Sequence, residues 1–254
     1  MTNEKELLPS AVASALKLPG VKIDRRKFLA ETFSKTQGEE LSKIIDYGPQ
    51  TVFDTAYLTA TAKHIVRRDT EKSTVASFLT GLPSNPAVMA GSSAVDIAQY
   101  FAFALRMAQE ISYIFGKQDL FDNNGDLSEN GERDIILYLG VMLGVSAASS
   151  AIIYATRELG KTAGKKVASK ALTKTLWYPI LKKIAAAINI TVTKQTVSKT
   201  ITKVVPVVGG VLSGGLTFIT FKPMGNRLIR SFAKALNSDE ASVSEARDVI
   251  LEAV

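Results

Sequence analysis

Twenty-two consecutive residues without a charge, Ile135 to Thr156 (IILYLGVMLGVSAASSAIIYAT), limit what this chain can become. As one helix the stretch would reach about 33 Å, against about 30 Å of bilayer hydrocarbon. It belongs either inside a protein core or in lipid. Two further stretches lack charge, Ser73 to Val95 and Val204 to Phe221. The first holds Pro83, Asn85 and Pro86 and is a poor simple span. The second has Pro206 near its start and Gly210-x-x-x-Gly214 within it, matching Gly140-x-x-x-Gly144 in the central stretch. Glycines at that spacing let helix backbones approach closely, in membranes and in protein cores alike. Three readings stay open: a buried apolar hairpin in a helical bundle, a permanent span, or an apolar region shielded until the protein meets a membrane.

The remainder reads as amphipathic helices. Asp24 is placed to cap a helix beginning RRKFLAETF. Helices are expected over Glu39 to Tyr47, stopped by Gly48-Pro49, and over Thr51 to Arg68, with Val52, Tyr57, Leu58, Ile65 and Val66 apolar. A long helix is expected from Gly91 to Phe115. Another should start near Gly131 and run past Tyr154. The last, near Ser242 to Ala253, opens with the capping-box pattern Ser242-x-x-Glu245. The β-branched run ITVTKQTVSKTITKVV is the weakest helical segment, and a short hairpin would also fit it. The expected fold is all-α, a single multi-helix domain with a central Gly/Ala/Ser-rich apolar helical hairpin. An N-terminal helical segment covers 1–50 and the main helical part covers 51–254.

Charge narrows the choice of partner. Net charge is +7 overall, but Arg157 to Lys234 carries fifteen Lys/Arg and one acid, Glu158. Lys166, Lys170 and Lys174 recur every four residues and line one helix face, extended by Lys161 and Lys165. A cationic amphipathic helix suits an anionic lipid surface, at about 1 kcal/mol per basic residue. A solvated lysine face without a partner is the plain alternative. Nucleic acid fits less well, since only Trp177 and Tyr178 interleave these lysines. The absence of cysteine excludes disulfides and zinc–sulfur sites. The N-terminal residues lack a signal-peptide pattern, so the expected location is cytoplasmic, peripherally or reversibly associated with the inner face of the membrane.

Chemical motifs are sparse. Ala155 to Thr162 matches a relaxed P-loop but sits in a helical pattern rather than after a strand. Asp122 to Glu129 resembles part of a calcium loop, with Leu127 where glycine belongs and Arg133 in place of the bidentate glutamate. The single histidine, His64, has no acid beside it in sequence. No cofactor pattern and no metal-ligand set is read. The best polar constellation lies on AVDIAQYFAFALRMAQEISYIFG. Gln99, Arg106 and Glu110 fall within about 40° of one another on a helix, with Asp96 close by. Facing inward, Arg106 could pair with Asp96 or Glu110 and hold a polar head group. Facing outward, the stripe is a solvated surface, and Ser93-x-x-Asp96 is a capping box.

AVDIAQYFAFALRMAQEISYIFG, LGVMLGV and VVPVVGGVLSGGLTFITFKPMGNRL, in that order, resemble the bacterial EcsC family. The N-terminal LPGVKIDRRKFL resembles a subset of it, so the likeness covers most of the chain. It implies a bacterial, mostly helical, membrane-associated protein of unsettled activity, named for its association with an ABC-transporter operon. Thr217 stands where many relatives carry Asn, and Phe115-Gly116-Lys117 lacks their Trp-Pro. Together, residues and resemblance lead to the expectation of a lipid-interacting, non-enzymatic helical protein. A specialised form would be a membrane-perturbing effector in bacterial defence or competition. The alternatives are an enzyme built on the polar stripe, or an adaptor that docks a membrane transporter. Oligomerisation is left open.

Overall fold

The computed structural model describes residues 12, 15–16, 18–71, 93–122, 124–161, 179–184, 186–187 and 209–252. Asp24 takes extended backbone, and its carboxylate accepts the N–H of Lys27 at 3.0 Å. That satisfies one of the orphan donors at a helix start and fixes α1 (Arg25–Thr32), as the sequence implies. Next comes α2 (Gly38–Tyr47), with Glu39 and Glu40 in its first turn, where the helix dipole favours negative charge. It stops at Gly48, whose φ of +101° few side chains tolerate, and Pro49 starts a single 3₁₀ turn, Pro49–Thr51.

α3 (Thr55–Glu71) begins later than the expected Thr51, because Asp54 accepts the Tyr57 N–H and sets the start there. Leu58, Ala62, Ile65 and Val66 turn inward, while Tyr57 is exposed and stacks on Phe53. α4 (Ser93–Ile114) is close to the expected long helix. Gly116, at φ +79°, ends it, and the Lys117 N–H reaches back to the Ser112 carbonyl.

The central uncharged stretch departs from expectation. It is two helices, α5 (Glu129–Met142) and α6 (Ser146–Lys161), because Gly144 adopts φ +88° and turns the chain. α5 is capped by Ser128, and the guanidinium of Arg227 donates to its last carbonyl, Met142, at 2.9 Å. Gly144 is therefore a turn residue rather than a packing contact. Gly140 does pack closely: a Cβ there would lie 2.7 Å from the Ile184 side chain and 2.9 Å from Ala148.

α7 (Gly209–Leu236) includes Gly210 and Gly214, whose surroundings lie outside the described residues. It packs against α3, α4, α5 and α6 and is the central helix. Gly225 makes this possible: a Cβ would meet Val66 of α3 at 2.8 Å and Met107 of α4 at 3.0 Å. Phe232 stacks on Phe115 and meets the edge of Tyr138. α8 (Glu240–Leu251) covers α6. Its cap is Asp239, which accepts the Ser242 N–H, so the Ser242/Glu245 capping box falls inside the helix instead of opening it.

The architecture is all-α. Among the described residues there is no strand, only an isolated bridge between Phe121 and Leu127. One buried cluster joins Leu29, Phe33 and Ile44 of the first 50 residues to Leu105, Tyr138 and Phe232, so 18–47 share the core of the main helical part. The β-branched run and most of Ser73 to Val95 lie outside the described residues.

Candidate functional site

The polar stripe on α4 turns partly inward. Glu110 is 1% exposed, and Gln109 and Ser112 are fully buried. The Arg106 guanidinium forks between the Gly20 carbonyl, 2.7 Å away, and Glu110 Oε1, 3.1 Å away. Gln109 clamps the N-terminal segment, accepting from the Ile23 N–H and donating to the Val21 carbonyl. From α3, Arg68 donates Nε and Nη2 to Asp69 Oδ1 at 2.8 and 2.7 Å, and the same Nη2 stands 3.8 Å from Glu110 Oε2. The Asp69 and Glu110 carboxyl groups therefore meet at the same Arg68 nitrogen. The result is a four-residue charge cluster across the α3–α4 contact. Burial, then Asp69, pushes the Glu110 carboxyl well above the ordinary carboxylate range, against Arg106 and Arg68.

Arg106 and Glu110 come together on a largely buried face, while the side-chain positions of Asp96 and Gln99 lie outside the described residues. Gln109, Arg68 and Asp69 were not foreseen. Gln109 falls outside the arc of the stripe, and the α3 pair reaches it only through tertiary packing.

A second, half-buried polar group lies at the C-terminal end of α4. Lys117 Nζ donates to the Thr156 hydroxyl at 3.0 Å, and the Tyr138 hydroxyl donates to Asp134 at 3.2 Å. Burial lowers the Lys117 ammonium and raises the Asp134 carboxyl, and their mutual attraction opposes both shifts. Arg25 seals the near side, donating to the carbonyls of Lys117 and Ile45.

The rejected motifs stay rejected for visible reasons. Ala155 to Lys161 lie within α6, so no phosphate-cradling loop forms there. Asp122 Oδ1 accepts the N–H groups of Asn124 and Asp126, and Lys22 donates to the Gly125 carbonyl, so the acidic turn is held by its own backbone. Among the described residues no group of three or more His, Asp or Glu could hold a metal. His64 is exposed on α3.

Lys165, Lys166, Lys170 and Lys174 lie outside the described residues, and Lys161 is described only as the end of α6. A different cationic face is visible. α3 and α7 run antiparallel, since the Thr55 hydroxyl bonds Asn237 at one end and Val66 packs against Gly225 further along. On α3, Lys63 and Arg67 are exposed; on α7, Lys222, Arg230 and Lys234 are exposed. The register sets Lys63 beside the turn that bears Arg230, and Arg67 beside the turn that bears Lys222. α7 itself carries no acid. Glu245 of α8 approaches Lys234 only to 3.8 Å.

Fold and sites together define an all-α protein with a buried Glu110 beside a half-buried Asp69 and with exposed cations on two neighbouring helices. Compared with protein-family models, curated proteins and solved structures, the chain matches none.

Proposed function

We propose that this protein is a peripheral, non-enzymatic binder of anionic phospholipid, engaging the cytoplasmic face of a membrane through the exposed side of α3 and α7. The observation that carries the reading is the gathering of exposed cations there: Lys63, Arg67, Lys222, Arg230 and Lys234 on two neighbouring antiparallel helices. At about 1 kcal/mol for each basic residue near an anionic leaflet, five supply about 5 kcal/mol, a dissociation constant of roughly 0.2 mM. The lysines at 161, 165, 166, 170 and 174 would extend the same attraction toward the micromolar range, suited to reversible recruitment. No helix among the described residues is long and apolar enough to cross a membrane, which fits attachment at the surface. The resemblance to the EcsC family supports the same reading, and a membrane-perturbing effector is its specialised form.

The test is flotation of the full chain with vesicles of phosphatidylcholine alone and with added phosphatidylglycerol. Binding is expected only with the anionic lipid, weakening as salt rises. The triple variant K63E/R230E/K234E should float less. Absence of flotation with anionic vesicles at low salt would end the proposal. Dye release from the same vesicles would separate perturbation from simple binding.

A further inference from the structure

We infer that Glu110 carries a proton and donates it to the Asp69 carboxylate, making the contact between α3 and α4 a proton-dependent catch. The two oxygens of Glu110 are treated differently. Oε1 receives Arg106 at 3.1 Å. Oε2 is buried and meets no hydrogen-bond donor among the described residues. Arg68 Nη2 stands 3.8 Å away and engages Asp69 at 2.7 Å. An ionised carboxylate with one undonated oxygen is costly in a dry interior. A proton on Oε2 turns that orphan acceptor into a donor. Its acceptor is at hand, because the Asp69 carboxyl group lies against the same guanidinium nitrogen, Arg68 Nη2 standing 2.7 Å from Asp69 Oδ1 and 3.8 Å from Glu110 Oε2. Asp69 is held by two N–H groups of Arg68 and is partly open to solvent.

Among the described residues, the cations that reach Glu110 are Arg68 and Arg106. α3 contributes Arg68 and Asp69, and α4 itself contributes Arg106. The N-terminal segment presents backbone groups of Gly20, Val21 and Ile23. α7 presents Phe221 against Phe103 and Gly225 against Met107. α1 meets α4 further along through Phe28 and Tyr113. The titratable groups of α5 at this end, Asp134 and Tyr138, act on Lys117 and on each other.

Carboxyl-carbon NMR of the full chain, labelled at glutamate, tests this directly, with E110Q to assign the signal. The Glu110 midpoint is expected above the ordinary value of about 4.3. In D69N it should fall, because the charge that favours the proton is gone. A midpoint at or below the ordinary value, or one unmoved in D69N, would overturn the inference. Should E110Q not fold, the infrared band of a protonated carboxyl that shifts on carbon-13 labelling of glutamate decides, since the raised Asp134 carboxyl would not shift: its presence at neutral pH supports the catch and its absence removes it. Stability gives a second readout. A carboxyl raised on folding contributes stability that is complete below its unfolded pKa and is lost as pH rises through its folded value. The urea midpoint of the unmodified chain should therefore drop as pH rises from 5 to 9, and drop less in E110Q; equal drops in the two would also overturn it.

Discussion

At the scale of the residue, two kinds of position behave differently. Asp24 announces itself, because a cap is a local bond between a side chain and an N–H three residues on. Replacing it with alanine should cost about 1 kcal/mol, measured by urea denaturation. Gly144 misleads. Its spacing from Gly140 suggests a helix-packing pair, yet its φ of +88° makes it the turn between α5 and α6. The Gly144→Ala variant should lose about 1–2 kcal/mol through the left-handed conformation alone, since the new methyl would lie 3.9 Å from the nearest side chain, Arg227, and would not crowd it. A loss well below that range would mean the turn relaxes at little cost. Both residues are small and polar-compatible in sequence; only the conformation required at the site separates them.

At the scale of the element, the break at Gly144 changes the meaning of the uncharged stretch. One helix of twenty-two residues would match a bilayer; helices of 14 and 16 residues reach only about 21 and 24 Å. The apolar side chains from Ile135 to Met142 bury against neighbouring helices instead. α7 is the hub of that burial, and its close approach depends on Gly225, which periodicity does not single out. Gly225→Ala should destabilise by about 1–3 kcal/mol, because the new methyl meets Val66 and Met107 on two different helices. Phe232→Ala should cost about 3–5 kcal/mol through loss of its contacts with Phe115 and Tyr138. Chemical denaturation of each purified variant checks both figures. If Gly225→Ala proved neutral, α7 would have to shift freely against α3 and α4, contrary to its central packing.

At the scale of the whole molecule, charge and core are separable. The core is a continuous apolar cluster that includes the N-terminal helices, while the cations gather on an outer face of α3 and α7. Raising salt from 50 to 500 mM should therefore weaken vesicle binding at least tenfold while moving the thermal midpoint little, read by flotation and by circular dichroism on the same samples. Parallel losses would show that the cations serve folding rather than recruitment. Sequence alone determined the helical class, the Asp24 cap, the stops at Gly48 and Gly116, and the excess of positive charge, because each follows from residues near one another along the chain. The tertiary structure alone decided that Glu110 faces Asp69, that Gly225 admits two neighbours, and that α3 and α7 share a cationic surface. Helical periodicity fixes the angle of a side chain about its own axis, but the element that fills that direction is chosen by packing between segments distant in sequence.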